Sequence, residues 1–403
     1  MGRSRWSQVL PAVAALGAGA VVLSACGSNS LKEGAGGSTA QPSAGAGSAK
    51  IALLVPQSGT YAPLGADMEQ GFRFYLEQKN GKLGGKTVDL QVVDEGAGPE
   101  TGVPAAQKLA QQSDLSAVVG IVNSGVALGV RDVFDQAKLP LVLANAGADA
   151  ITGARKSDYV WRTSFSNSQV SGAMGSYVAE KTKGGSVYLI APDYAAGKEF
   201  LSGFEKTFTA AGGKVAGQEL PPFGKTSNYQ PYLAKIKQSG ATGVFAFFAG
   251  SEAVSFTKQY KELGLAGSIP LYSSGFLTEG GVLKASGAAA AGIESSLHYS
   301  DQLDTPRNKE FVQAYAAKYS EPPTVYAVQA YDAAQVLDKA LEKGTTGDQV
   351  VEGLRGVGTV DSPRGPWTFD ESHNPKQAFY LRKVQQGPGG TLVNAVVREL
   401  ASP

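Results

Sequence analysis

The sequence is poor in the residues that most often carry metal and redox chemistry. Its 403 residues include a single cysteine and only two histidines, His298 and His373, which lie far apart. One cysteine cannot form a disulfide within the chain, and no H-E-x-x-H or other metal-spaced pattern is present. We therefore predict no bound metal and no other cofactor. His298 lies in an apparent strand and is predicted to be a structural or inter-lobe residue.

An excess of charge of one sign is also missing. The chain has 36 Lys and Arg residues against 35 Asp and Glu residues, a net charge of +1. Such a balance creates no broad field that would attract nucleic acid or anionic lipid. Hydrophobic residues make up 42% and charged residues 18%, which is ordinary for a globular chain. The composition argues against a nucleic-acid partner and a polytopic membrane protein, and the length has room for two domains.

Motifs of enzymatic catalysis are absent as well. No G-x-S-x-G sequence occurs, which excludes a nucleophile elbow. Two Gly-Lys-Thr triplets, at 85–87 and 224–226, lack the upstream glycine that a phosphate-binding loop requires. The pair Asp94-Glu95 at a strand end has the chemistry for acid–base work, but two acids near a helix entry are the simpler interpretation. We predict that the protein is not an enzyme, and an exported enzyme stays as an alternative without a supporting motif.

The N-terminus has the pattern of an exported lipoprotein. Two arginines stand within the first five residues, no charged residue occurs over 6–31, and this stretch contains Leu-Ser-Ala-Cys at 23–26. The order of these features is typical of a secretory signal, and the last four residues match a bacterial lipobox. We predict a signal peptide over 1–25 and an extracytoplasmic protein that a lipid on Cys26 anchors to the cell membrane. The alternative is an uncleaved membrane anchor in which Cys26 has no role.

From the lipidation site onward, residues 26–49 are mostly glycine, serine and alanine. A segment with so few large apolar residues cannot bury enough surface to fold, so we predict a flexible tether. Beyond it, short apolar runs alternate with helical patterns. Strands are predicted at 51–56, 88–93, 117–121, 139–143, 186–191, 214–220, 243–248, 269–272, 293–299, 366–369 and 378–383. Helices are predicted at 65–80, 99–112, 125–138, 168–183, 197–211, 229–239, 252–263, 307–319 and 324–343.

This alternation predicts an α/β fold of two Rossmann-like lobes, each with a parallel central sheet. The stretch after Gly292 is too short for a third core, so it is predicted to complete the two sheets. Lobe 1 is predicted to comprise 50–163 plus 300–368, and lobe 2 to comprise 164–299 plus 369–403. The crossing segments, 162–166, 299–301 and 369–374, are predicted to form a multi-strand hinge beside a ligand cleft.

Several stretches together resemble one known family, the branched-chain amino acid (Leu/Ile/Val) type of periplasmic solute-binding protein, with the type I fold. The stretches are I-A-L-L-V-P-Q-S-G at 51–59 with A-P-L-G at 62–65, G-G-K at 84–86 before V-D-L at 88–90, V-G at 119–120, D-Y-A-A-G at 193–197 and S-P-R-G-P-W-T-F-D at 362–370. The resemblance extends from Lys50 to the last strands. It implies capture of a small solute by closure of two lobes, and delivery to an ABC permease by a monomeric binding protein.

The resemblance also implies the ligand-binding positions. Ser124 and Asn123 lie at the predicted start of a helix, where a hydroxyl and free N–H groups suit a carboxylate. The opening loop and the second lobe would add the remaining walls, although each aromatic could equally belong to the core. The full predicted set is Tyr61, Leu64, Asn123, Ser124, Asn145, Ala146, Gly147, Asp193, Tyr194, Phe248, Phe276 and Glu279. The family's hydroxyl contact is missing at Gly147, and its disulfide positions are occupied by Ala97 and Asn123.

One departure from the family bears on the ligand. Amino acid binders of this type hold the ligand's ammonium with a glutamate after the strand predicted here at 269–272, where this chain has Ser-Ser-Gly-Phe at 273–276. A buried ammonium needs a charge partner. Either Glu279, Asp193 or Glu252 takes that role and the ligand is a hydrophobic amino acid, or the ligand is an aromatic acid, another small carboxylate or an amide. A ligand sensor for a membrane receptor is a further alternative on the same fold.

Overall fold

The structure is a computed structural model that describes residues 47–153 and 156–402. The predicted signal peptide, the lipidated Cys26 and the tether as far as residue 46 lie outside these residues. The tether was predicted to reach residue 49, but a strand begins at Ser48. Among the helices of the described ranges, none has both the length and the apolar character needed to cross a membrane.

The described chain contains two central sheets and a small hairpin. The strands are β1 (Ser48–Val55), β2 (Lys82–Leu83), β3 (Lys86–Asp94), β4 (Leu115–Gly120), β5 (Leu141–Leu143), β6 (Val160–Arg162), β7 (Ser186–Ile190), β8 (Lys214–Glu219), β9 (Gly243–Ala246), β10 (Leu271–Ser274), β11 (Glu294–Leu297), β12 (Thr368–Phe369), β13 (Pro375–Lys376), β14 (Phe379–Gln386) and β15 (Leu392–Leu400). The helices are α1 (Ala62–Gln78), α2 (Pro99–Ala110), α3 (Ser124–Gln136), α4 (Asn167–Gly172), α5 (Gly175–Thr182), α6 (Ala195–Ala210), α7 (Gln230–Gln238), α8 (Gly250–Glu262), α9 (Gly281–Ser286), α10 (Pro306–Tyr319), α11 (Val325–Ala340) and α12 (Gly347–Arg355).

The first lobe is built on six strands in the order β2-β3-β1-β4-β5-β6, all parallel except β2. Residues 51–55 of β1 are all buried, as expected for a central strand with helices on both faces. Helix α11 packs closely on α1. A Cβ at Gly71 of α1 would lie only 2.0 Å from the carbonyl oxygen of Ala327 in α11. The later helices therefore complete the first lobe.

The second lobe is built on seven strands in the order β15-β14-β11-β10-β9-β7-β8. Strands β7 to β11 are parallel, whereas β14 and β15 are antiparallel additions at one edge. The two-lobed α/β fold with parallel central sheets is confirmed. Strand β15 was not predicted, because residues 392–400 mix charged and apolar residues without a clear alternation.

The helix predicted over 168–183 is two helices, α4 and α5. The Thr207 hydroxyl donates a 2.8 Å hydrogen bond to the carbonyl oxygen of Gly172. A Cβ at Gly175 would lie 2.0 Å from the same hydroxyl oxygen. Helix α6 therefore approaches most closely where α4 ends and α5 begins. The sequence did not predict this break, because a contact between residues distant in sequence leaves no signal in the local periodicity.

The chain passes between the lobes after β6, after β11 and before β14. The third predicted hinge segment, 369–374, contacts the first lobe rather than starting the second. His373 stacks on Trp161 with 3.6 Å between ring centroids, and Asn374 accepts a 2.8 Å bond from Nε of Arg162. The passage into the second sheet therefore follows the β12–β13 hairpin, later than the boundary predicted at residue 369.

Candidate functional site

A cavity lies between the lobes. Its lining consists of Tyr61, Leu64, Val122, Ser124, Asn145, Gly147, Phe165, Asn167, Tyr194, Ala196, Phe200, Phe247, Ala249, Phe276 and Tyr326. Seven of these side chains are aromatic and none is charged, so polar contacts to a ligand must come from neutral groups.

The polar side of the cavity is centred on the start of α3. The Asn123 side chain accepts bonds from the N–H groups of Gly125 (2.8 Å) and Val126 (3.3 Å), as a helix N-cap does. The first N–H groups of a helix have no partner within the helix. Since the cap takes two of them, the N–H and hydroxyl of Ser124 remain at the cavity, and Nδ2 of Asn167 lies 3.5 Å from that hydroxyl.

A buried carboxyl supports this helix start from behind. Glu95 accepts 2.7 Å hydrogen bonds from the N–H groups of Val122 and Asn123. Burial raises the pKa of Glu95 to about 8, although the two backbone bonds oppose the rise. Asp94 accepts bonds from the N–H of Gly96, in its own loop, and from the N–H of Gln57, in the loop after β1. These acids therefore organise loops, in line with the simpler interpretation of the Asp94-Glu95 pair.

A chain of side chains holds the amide of Asn145. Its Nδ2 donates to Oε1 of Gln329 at 2.7 Å, and Nε2 of Gln329 lies 3.0 Å from Nε2 of His298. Burial lowers the pKa of His298, so the ring is neutral and its Nε2 accepts from the amide. This relay fixes which way Asn145 faces the cavity, and it gives the buried His298 a structural role across the two lobes.

The aromatic side of the cavity is centred on Phe276. Its ring centroid lies 5.0 Å from that of Phe165, 5.9 Å from that of Tyr326 and 6.0 Å from that of Phe200. Phe200 also stacks on Phe247 with 3.9 Å between centroids. These separations are those of favourable aromatic pairs, so the rings form a continuous apolar surface that suits a flat or apolar ligand.

Hydrogen bonds across the cleft show that the lobes are closed. The hydroxyls of Tyr61 and Tyr194 lie 2.7 Å apart, one from each lobe. Burial raises the pKa of both phenols, so both remain protonated. The N–H of Asp149 donates to Oε2 of Glu199 across the same cleft at 3.1 Å. A ligand of this cavity would therefore be enclosed.

Of the twelve predicted ligand positions, seven line the cavity: Tyr61, Leu64, Ser124, Asn145, Gly147, Tyr194 and Phe276. Asn123 does not line it, because its side chain caps α3. Ala146 does not line it either and is buried in the core of the first lobe. A residue without a side chain is required at position 147, because a Cβ there would lie 2.3 Å from Oδ1 of Asn167.

Phe248 was expected at the cavity, but Phe247 lies there instead. Successive side chains of an extended segment point to opposite sides. Phe248 accordingly faces the helices, with its ring centroid 4.4 Å from that of Phe256 and 5.2 Å from that of Tyr229. The residue predicted to face the cavity at the end of β9 is therefore displaced by one position from the residue that does.

The three acids considered as partners for a ligand ammonium all lie outside the cavity lining. Glu279 is buried against Arg382, with 2.8 Å between Oε2 and Nη1, and accepts from the N–H of Val325. Asp193 pairs with Lys198 at 2.8 Å and is half exposed. Glu252 accepts a 2.9 Å bond from the N–H of Gly224. The predictions of Asp193 and Glu279 as cavity residues are therefore not supported, because each carboxylate is already paired elsewhere.

Among the described residues, five of the longer helices begin at the cavity. Ser124 is the first residue of α3, Ala196 and Tyr326 lie in the first turns of α6 and α11, and Tyr61 and Ala249 are the N-caps of α1 and α8; all five residues line the cavity. The N-terminus of a helix carries partial positive charge and exposed N–H groups. With no charged side chain in the lining, the helix starts favour an anion over a cation.

Several lining residues were not predicted, namely Val122, Phe165, Asn167, Ala196, Phe200, Phe247, Ala249 and Tyr326. Some carried a usable signal, since Ala196 and Ala249 stand at helix starts that follow strands. Phe165 and Asn167 follow the short strand β6, which was predicted only as hinge. Tyr326 belongs to α11, and nothing in the local sequence indicates that this helix reaches the cavity.

Comparison with known proteins agrees with this architecture. The sequence profile of the family described as periplasmic binding protein matches residues 48–390. The Leu/Ile/Val-binding protein homolog 6 of Brucella melitensis biotype 1 is 32% identical over 87% of this chain and 90% of its own. A solved solute-binding protein of an ABC transporter from R. palustris, in complex with benzoate, is 37% identical with a TM-score of 0.82, covering 89% of this chain and 98% of that one. Another from R. palustris, in complex with 4-hydroxybenzoate, is 30% identical with a TM-score of 0.81, covering 88% and 98%.

The chain belongs to the periplasmic binding protein family, with the type I fold. Within that family it is a solute-binding protein of an ABC transporter, of the branched-chain amino acid type. The family implies a location outside the cytoplasm. The predicted family is thereby confirmed.

Proposed function

We propose that this protein captures an aromatic carboxylate and delivers it to an ABC importer, without changing it chemically. The observation that carries the proposal is the cavity itself. It combines five helix N-termini with seven aromatic side chains and has no charged side chain in its lining. An anionic head and a flat apolar ring are the ligand features that match these two surfaces.

A zwitterionic amino acid matches the cavity less well. Its ammonium would be buried without a carboxylate partner, and burying an unpaired charge is costly. Glu279, the first acid after β10, already has Arg382 as its partner. The solved relatives from R. palustris hold benzoate and 4-hydroxybenzoate, which supports an aromatic acid for this chain too.

Binding and lobe closure form a single equilibrium in this proposal. The ligand first meets the start of α3 on the first lobe, and closure then brings Phe200, Phe247 and Phe276 of the second lobe against it. The closed state is favoured only by the extra affinity that the ligand has for it. The closed surface is then what the permease recognises.

The proposal includes a lipid anchor on Cys26, a tether that lets a monomeric binding domain move above the membrane, and removal of residues 1–25. The support is the charge-free stretch over 6–31 with its Leu-Ser-Ala-Cys sequence. Mass spectrometry of the protein from membranes should find a diacylated Cys26 at the N-terminus. A C26A variant found in the membrane fraction at the normal level would contradict the anchor.

Isothermal titration calorimetry of the purified protein tests the ligand class. We expect benzoate to bind, and leucine, phenylalanine and benzylamine to bind far more weakly. Tighter binding of leucine than benzoate would overturn the proposal in favour of a hydrophobic amino acid, and preference for benzamide would favour an amide. Chromatography of the released ligand should return it unchanged, whereas a converted product would show an enzyme.

A further inference from the structure

Tyr326 lines the cavity, and its buried hydroxyl has no hydrogen-bond partner among the described residues. The residue is 2% exposed and lies in the first turn of α11, with its ring 5.9 Å from that of Phe276 between centroids. Burial raises the pKa of this phenol well above its ordinary value, so it remains an O–H donor. A buried polar group without a partner is costly, which points to a partner supplied by the ligand.

The neighbouring phenols add a second donor. Tyr61 and Tyr194 also line the cavity, and their hydroxyls lie 2.7 Å apart. Each phenol carries one hydrogen, and their mutual bond uses only one of the two. The pair therefore leaves one O–H hydrogen without a partner among the described residues.

These three phenols differ from the polar groups at the start of α3. Ser124 is linked to Asn167, and Asn167 in turn to Glu199. Among the described residues, no hydrogen bond links any of the three tyrosines to that set. The cavity thus has two separate groups of hydrogen-bonding side chains, while a benzoate has only one polar end.

We propose that Tyr326, with the Tyr61–Tyr194 pair, forms a subsite for a ring hydroxyl, so that the preferred ligand is a hydroxylated aromatic acid. This inference rests on the proposed binding of aromatic carboxylates and goes beyond it. A ring hydroxyl both donates and accepts, so it satisfies donors that an unsubstituted ring leaves unpaired. A site built around such a hydroxyl discriminates against the analogue that lacks it.

Calorimetric titration with four probes tests the subsite: benzoate, 3-hydroxybenzoate, 4-hydroxybenzoate and 4-methylbenzoate, whose methyl group matches a hydroxyl in size. We expect a hydroxybenzoate to bind the wild-type protein about 5- to 100-fold more tightly than benzoate or 4-methylbenzoate. Tyr326→Phe removes one oxygen atom and should bring the ratio of hydroxybenzoate affinity to benzoate affinity close to one. Tyr229→Phe is the matched control, because its hydroxyl is also buried and unpartnered but lies outside the cavity lining.

The outcomes separate this inference from the proposed function. If Tyr326→Phe weakens benzoate and the hydroxybenzoates equally, the tyrosine contacts the shared carboxylate and the hydroxyl subsite is wrong. If the wild type binds benzoate as tightly as the hydroxybenzoates, or prefers 4-methylbenzoate, the subsite is also wrong, and in both cases aromatic acid binding stands. If the wild type binds none of the four probes, the proposed function fails together with the subsite. The wild-type comparison needs no variant, so a folding defect cannot mask the result.

Discussion

The two sides of the cavity are built from different chemistry. The first lobe contributes the start of α3 with Ser124 and Asn145, which the Asn123 side-chain cap and a buried amide relay support, together with the phenols of Tyr61 and Tyr326. The second lobe contributes mainly rings and alanines, with Phe200, Phe247 and Phe276 as its largest groups. Polar groups need defined partners and geometry, whereas packed rings need only complementary shape.

This difference assigns a separate task to each lobe. In the proposed function, the first lobe orients the ligand carboxylate, because the Asn123 side chain that caps the start of α3 belongs to the same lobe. The second lobe supplies apolar area, and that area is realised only on closure. Substitutions on the polar side should therefore change the selectivity for ligands. Substitutions on the aromatic side should change lobe closure and the stability of the fold.

The largest effect is expected from Phe276→Ala. The ring contacts Phe165, Phe200 and Tyr326, so its removal leaves a void among several aromatic groups. We expect a loss of about 3–5 kcal/mol in the free energy of unfolding, measured by urea denaturation, and no detectable benzoate binding. Phe276→Leu should retain more of both. An alanine variant that binds benzoate normally would show that the aromatic side is not part of the site.

The next effect concerns charge on the polar side, where Ser124→Asp would put a carboxylate at the start of α3. Two like charges about 5 Å apart repel by about 3 kcal/mol at an effective dielectric constant of about 20. Benzoate affinity should therefore fall about 100-fold, whereas the fold should be retained, because an acid suits a helix start. Ser124→Asn is the neutral control of nearly the same size. Equal losses in the two variants, measured by calorimetry, would mean that size and not charge is responsible.

A smaller effect separates the adjacent rings Phe247 and Phe248. Phe247→Leu should weaken benzoate binding, because this ring lines the cavity, and should lower the free energy of unfolding by about 1 kcal/mol, because the ring also stacks on Phe200. Phe248→Leu should lower the free energy of unfolding by about 1 kcal/mol and leave affinity unchanged, because that ring packs on Phe256. Calorimetry and urea denaturation of both variants give the comparison. The reverse pattern would place Phe248 at the ligand.

The polar side was the more predictable from sequence. Ser124 was found because a strand followed by a helix start places N–H groups at the edge of a parallel sheet, and that rule needs only local sequence. Asn167 of α4, which adds an amide from the second lobe to this side, was missed because it follows the three-residue strand β6, too short to give a periodic signal.

The aromatic side depended on information that local sequence does not contain. Phe247 and Phe248 are chemically identical, so only the register at the end of β9 decides which one faces the ligand. Glu279 and Asp193 lie outside the cavity lining, paired with Arg382 and Lys198, and these partners could be identified only from the folded chain. The overall fold was easier, since its strand–helix alternation repeats over many residues.

The smallest expected effect is a pH dependence that arises behind the polar side. Burial raises the pKa of Glu95 to about 8, and its carboxyl is bonded to the N–H groups of Val122 and Asn123, next to the start of α3. A bound carboxylate disfavours the ionised form of Glu95 and raises this pKa further, so binding takes up protons around pH 8. Benzoate affinity should then fall by about tenfold or less as pH rises from 7 to 9. Calorimetry in buffers of different ionisation enthalpy measures the proton uptake, which Glu95→Gln should abolish. Proton release on binding, or no pH dependence, would mean that the ligand carboxylate is not held at the start of α3.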